Sequence, residues 1–126
     1  MEYKKNYYKY LIRLDSGEEI AASLKEFCLR EKVGLGSITG VGLVNNATII
    51  LPSFDNQNTQ EQKLNGNFEL VPLSGNISLR QNQPDLQLQA KLVNTESKIF
   101  NGLLLKATAS SVCQIIIDTI ESEIGD

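Results

Sequence analysis

Gln87 and Gln89 stand two residues apart in the segment Pro84–Leu92, where Leu86, Leu88, Ala90 and Leu92 alternate with polar side chains. Alternation of this kind marks a strand with one buried face. Residues i and i+2 of a strand share a face and lie roughly 7 Å apart, a separation at which two side chains can converge on one bound group. Each carboxamide brings an acceptor oxygen and a donor NH2, so the pair can hydrogen-bond a small polar ligand. The plainer reading is that both are solvated or bonded to neighbours. Glu69 alternates with Phe68 and Leu70 and faces away from them. It is either a carboxylate lining a pocket or, as expected, the partner of a basic residue such as Arg80 across a strand. Lys4, Lys5, Lys9 and Arg13 are interleaved with Tyr3, Tyr7, Tyr8 and Tyr10. Phosphate contacts are one use of such a cluster. The expected use is a frayed tail leading into an edge strand, where lysine discourages edge-to-edge pairing.

Composition removes several chemistries. The chain has no histidine, and so lacks the commonest metal ligand and the commonest general base. A Ser-His-Asp or Cys-His arrangement cannot form within it. Cys28 and Cys113 are the two cysteines, each among apolar residues and without a CxxC; buried, reduced thiols are expected rather than a disulfide framework or a zinc site. The formal net charge is −3, which argues against a dedicated DNA-binding module with a basic face. Gly40 and Gly42 bracket Val41, but neither a third glycine with a following helix nor a Gly-Lys-Ser/Thr step follows, so a bulge or close backbone approach fits better than a phosphate loop. The N-terminal segment has no apolar core of a secretory signal, and no run approaches a membrane span. The expectation is a cytoplasmic protein with no membrane contact.

These residues are positioned by one domain of 126 residues, with its core over about 8–118. Residues 8–14 read as a strand with Tyr8, Tyr10, Ile12 and Leu14 on one face. Ser16 and Glu19 have capping-box spacing, which predicts Ser16 as the N-cap of a helix running to about Glu31. Ile20, Leu24, Phe27 and Cys28 form its apolar stripe, and Gly34 is the expected stop. Strands are predicted over Leu35–Val44 and Ala47–Leu51 with a turn at Asn45-Asn46. A polar, mobile loop follows, then a hairpin at Asn65-Gly66, strands on either side of a turn at Ser74-Gly75, turns at 81–84 and 94–97, and strands over 98–108 and 111–119. The fold class is α+β, a largely antiparallel sheet with one long helix after the first strand. Ile115–Ile117 and Leu103–Leu105 are consecutive and must point both ways. With a single helix to cover the sheet, apolar residues on both faces predict oligomerisation.

The segments YLIRLDSGEEIAASLKEFCLREKVGLGSITGVGLVNNATI and GNFELVPLSGNISL carry a family resemblance. In strand, Gly-Glu turn, helix and glycine-bearing strand, followed by Glu69-Leu70 and Leu73-Ser74-Gly75-Asn76-Ile77, the chain resembles a stand-alone PPC domain (plants and prokaryotes conserved domain) over about residues 8–118. The resemblance implies a homotrimer. In plants the domain accompanies AT-hook motifs in DNA-binding regulators and mediates self-association and contacts with other transcription factors. Prokaryotic members are usually the bare domain and are often described as DNA-binding by association. This chain carries no Arg-Gly-Arg-Pro hook. The fold is also similar to that of acetolactate decarboxylase, a histidine-ligated metal enzyme.

Many prokaryotic PPC domains carry a His-x-His on one strand and a further histidine in a Gly-Gly-His-Leu step. By motif order those positions fall on Gln87, Gln89 and, in Asn101-Gly102-Leu103-Leu104, on Leu103. Gln114 stands where the family often carries glutamate. Amide oxygens are poor ligands for a transition metal and leucine is none, so no metal, no cofactor and no catalysis are expected. What remains is a trimeric DNA-associated regulatory module acting through protein partners, with direct DNA binding weak or absent. The alternative is a small-molecule binder using inter-subunit clefts lined by Gln87, Gln89, Asn101 and Glu69.

Overall fold

The computed structural model describes residues 1–51 and 60–120. Its elements are β1 (Glu2–Asn6), β2 (Lys9–Leu14), α1 (Ile20–Glu31), β3 (Gly36–Leu51), β4 (Gln60–Arg80), β5 (Gln83–Asn94) and β6 (Ile99–Thr119). The strands lie in the order β1-β2-β6-β3-β4-β5, and β5 pairs again with β6. Every one of these pairings is antiparallel. β6 therefore has two neighbours along one edge. Residues Ile99–Leu103 pair with β5, and Cys113–Asp118 pair with β2. β3, β4, β5 and the first half of β6 close into a small barrel, while β2 and β1 continue the sheet from the second half.

α1 forms where the stripe predicts it, and Ile20, Leu24, Phe27 and Cys28 are all buried. Its cap differs from the sequence reading. Glu19, not Ser16, is the N-cap, its carboxylate accepting from the backbone N–H of Ala21 at 2.6 Å and of Ala22 at 3.3 Å. Gly17 at φ +94 turns the chain one step later than the Ser-x-x-Glu box requires. The helix ends at Lys32, in the left-handed region at φ +57, before Gly34 is reached. Glu19 also receives the N–H of Ala107 at 3.4 Å and so ties the helix start to β6. Glu19→Ala is expected to cost about 1 kcal/mol and Ser16→Ala less than about 0.5 kcal/mol, read from chemical denaturation midpoints. The reverse order would restore Ser16 as the cap.

Three predicted turns are not turns. Asn45-Asn46 lies within β3, Asn65-Gly66 within β4, and Gly75 pairs with Ile38 and Leu88 in mid-strand. Asn46 (φ +53) and Gly66 (φ +103) spend their left-handed conformations on a bulge, with the Gly66 N–H facing Asn46 Oδ1 at 3.5 Å. The two long strands bend there together and do not reverse. Residues 81–82 do turn the chain, both at positive φ, between β4 and β5. The N-terminal segment is not frayed: it is β1, the edge of the sheet. The polar loop expected to be mobile lies outside the described residues. Register shifts flank Gly42, and a Cβ there would collide with Cys113, which supports the close-approach reading of the Gly-Val-Gly step.

The core fills the space between α1 and the inner sheet face, with Leu14, Phe27, Ile38, Ile49, Leu70, Leu92, Ile115 and Ile117 fully enclosed. Phe27 packs edge-on against Tyr3 and Tyr10, ring centroids 5.0 Å away in each case. Cys28 and Cys113 are buried free thiols. Burial pushes the Cys28 thiol up to about 11 and also raises that of Cys113, so both stay protonated and unreactive near neutral pH.

Candidate functional site

Pairing between β4, β5 and β6 builds the polar site. Gln87 and Gln89 are exposed on the outward face of β5, while Leu88 and Ala90 between and beside them are buried. Gln89 lies in register with Ser74 on one side and with Leu103 on the other. Gln87 lies opposite Asn76. The three positions that the resemblance assigns to histidines are thus brought together, although Leu103 is far away in sequence. Asn101 faces Lys91 one step along the same outward surface. Glu69 lies farther along, exposed between Leu43 and Val93. It shares β4 with Arg80, so the expected cross-strand pair with Arg80 cannot form. What converges is a strip of hydroxyl and carboxamide groups from Ser74, Asn76, Gln87, Gln89 and Asn101. Its side chains do not fit a transition-metal ion: neutral amide oxygens are weak donors for one, and Leu103 offers no donor.

Beside this strip the exterior of the sheet is apolar. Leu11, Val41, Leu43, Val71, Val112 and Ile116 are each 40–49% exposed. Leu11, Ile116 and Thr39 form one register row across β2, β6 and β3, and Arg13, Gln114 and Val41 form the next. Together with Pro72 they line a concavity of about 640 Å³. The consecutive isoleucines divide as the sequence requires: Ile115 and Ile117 enter the core and Ile116 remains outside. Leu103 and Leu105 also point outward, with Leu104 buried between them. Contiguous apolar surface on this scale is characteristic of interaction faces.

The basic cluster does not form one patch. Lys5 turns to the helix side, with its ammonium 5.5 Å from the centre of the Tyr10 ring. Lys4 and Lys9 are on the other face, where Lys9 lies opposite Asp118. Arg13 is held between Glu2 at 3.0 Å and Asp15 at 3.3 Å. Neighbours in sequence alternate across a strand, and carboxylates neutralise the one guanidinium. Lys5 is thus separated from Lys4, Lys9 and Arg13, which share the outward face.

The sequence profile of the Plants and Prokaryotes Conserved domain matches residues 1–121. The chain belongs to this family. No protein of curated function matches it. Among solved structures, this PPC domain is similar to a PPC protein of Pyrococcus horikoshii, with 28% identity and a TM-score of 0.84 over 97% of this chain and 82% of that one. It superposes at a TM-score of 0.92 on a proposed DNA-binding protein of Bacteroides thetaiotaomicron, 24% identical, over 96% of this chain and 85% of the other. A metal-containing protein of Archaeoglobus fulgidus shares the fold at a TM-score of 0.84 and 22% identity, over 97% and 85% of the two chains. The PPC fold thus accommodates a metal-containing member, whereas the Gln87–Gln89–Leu103 cluster of this chain is unsuited to one. Among the described residues no helix is long and apolar enough to cross a membrane.

Proposed function

We propose that this PPC domain is a homotrimeric interaction module, a cytoplasmic regulatory protein that reaches DNA through partner proteins and performs no catalysis. The carrying observation is the outward apolar face of Leu11, Val41, Leu43 and Ile116, which the single helix on the opposite side of the sheet cannot cover. A closed cyclic assembly buries such a face without leaving a sticky edge. DNA association rests on the solved structure of the Bacteroides thetaiotaomicron protein, itself a proposed DNA-binding protein. Direct contact is disfavoured because Lys5 lies on the opposite face from Lys4 and Lys9, and Arg13 is paired with Glu2 and Asp15. In the carboxamide strip no imidazole, carboxylate or thiol accompanies the Ser74 hydroxyl to activate it.

Fluorescence anisotropy of labelled duplex DNA, titrated with salt and paired with light scattering of the same sample, tests the reading. The expected outcome is a mass of three chains and no DNA binding at micromolar protein near physiological salt. Tight binding whose logarithm falls steeply with the logarithm of salt, and flattens in a Lys4→Gln/Lys5→Gln/Lys9→Gln variant, would show phosphate contacts and reject the partner-mediated route.

A second reading is favoured by the strip itself. Ser74, Asn76, Gln87, Gln89 and Asn101 present hydrogen-bonding groups in adjacent register rows, which suits a small polar ligand held beside the apolar face.

A further inference from the structure

A groove of about 880 Å³ opens where α1 ends, away from the apolar exterior, and shares no lining residue with the concavity there. Three chain reversals and a strand end meet in it: the β1–β2 turn at Tyr7 and Tyr8, the α1–β3 connection at Lys32–Leu35, the β4–β5 hairpin at Leu79–Pro84, and the end of β6 at Thr119 and Ile120. Gly34 lets the second and third of these close together, because a Cβ there would meet Leu79 Cδ2 at 2.9 Å. The walls are apolar yet open to solvent, with Leu79 54%, Ile120 66% and Tyr7 86% exposed. Tyr7 is held at φ +57, a conformation that bulky residues adopt only under constraint. Its ring is thereby kept out over the groove instead of packed on the sheet.

The charges at this groove are not cancelled. Glu31 is engaged by Arg30, whose Nε is 3.7 Å away, and by the hydroxyl of Tyr3. Lys5 and Lys32 line the groove, and among the described residues neither has an ion-pair partner. An apolar trough rimmed by tyrosines and flanked by free ammonium groups selects for an acidic chain with apolar anchors. Tyrosines of this kind are frequent anchors at protein interfaces, and complementary charge sets the register and discriminates against wrong partners.

We propose that this groove docks a partner protein through an extended segment in which acidic and large apolar side chains alternate. The proposal rests on the interaction-module reading and gives that module a partner-facing surface separate from its assembly face.

The test uses the full chain and a fluorescein-labelled peptide in which glutamate alternates with leucine and phenylalanine, read by anisotropy. Saturable binding is expected, weakened about tenfold or more by Lys5→Glu/Lys32→Glu and about threefold by Tyr7→Gly. Glycine accepts the positive φ at position 7, so that variant keeps the fold. The peptide with lysine in place of glutamate should not bind. Light scattering of the same samples keeps the two readings apart. The groove variants should retain the assembly mass, and a variant of the apolar exterior should lose mass while its peptide affinity is unchanged. Absence of binding at millimolar peptide, equal binding of the acidic and basic peptides, or indifference to charge reversal would overturn the proposal. So would preferential binding of a single-stranded oligonucleotide, or of sodium octanoate, which would assign the groove to nucleic acid or to a small amphiphilic acid.

Discussion

Ile116→Glu is expected to convert an assembly of three chains into single chains that remain folded. Ile116 lies in one row with Leu11 and Thr39 on the sheet exterior and is 40% exposed in the isolated chain. A carboxylate there meets water in the monomer and is accommodated. In an assembly that covers the row, each subunit would bury a charge without a partner, and the interface would also lose the transfer energy of the exposed part of the isoleucine, about 1 kcal/mol per chain. Repeated around a closed ring, the loss exceeds what a standard interface can absorb, and each 1.4 kcal/mol weakens association about tenfold. Light scattering at micromolar concentration should give 14.0 kDa for the variant and three times that for the parent. Thermal unfolding of the variant should stay cooperative, because Ile115 and Ile117 still fill the core. A parent chain that is already monomeric, or a variant that keeps its mass, would remove the basis for the proposed assembly.

A triple variant, Gln87→His, Gln89→His and Leu103→His, should acquire a transition-metal site. Two of these positions share the outward face of β5 and the third lies directly opposite Gln89 on β6. Three imidazoles there can converge on one ion, as in open three-histidine centres. Titration with cobalt(II), followed by its visible absorption, should take binding from weaker than about 1 mM in the parent to a Kd of about 1 μM, a gain of at least about 4 kcal/mol. The substituted side chains are exposed, so the fold should tolerate all three. Failure to bind metal, with the fold intact, would mean that the register does not aim these side chains at a common point. Metal binding by the parent would contradict the ligand argument for its amides.

Periodicity made part of this architecture legible. The stripe Ile20, Leu24, Phe27 and Cys28 specified the helix, and the runs Leu103–Leu105 and Ile115–Ile117 announced a sheet with apolar residues on both faces. Punctuation was less reliable. Asn45-Asn46 and Asn65-Gly66 are the residue types that reverse a hairpin, but the same left-handed conformation serves a bulge, and only the partner strand decides between them. Ser16 lost the cap because Gly17 carries the chain past it and Glu19 can reach two helical N–H groups. The lysines looked like a cluster because they are close in sequence, and a strand sends alternate residues to opposite faces. The carboxamide strip was half visible: Gln87 and Gln89 followed from alternation, whereas their neighbours Ser74 and Leu103 required strand pairing. The groove at the end of α1 is built from three separated turns and the end of β6, and no local pattern carries it.

The double partnership of β6 also bears on how the chain reaches its fold during synthesis. Tyr10 of β2 pairs with Ile117, and Leu92 of β5 with Phe100, so the last described strand joins the β1–β2 hairpin to the barrel. Until it emerges from the ribosome, β2 has only β1 beside it, the barrel cannot close, and α1 has no completed floor. Contacts that span nearly the whole chain form slowly, and unpaired edges persist while they do. A nascent or prematurely terminated chain lacking β6 would present several open strands at once. Quality control by chaperones and proteases would therefore act on this protein chiefly before its last strand is in place.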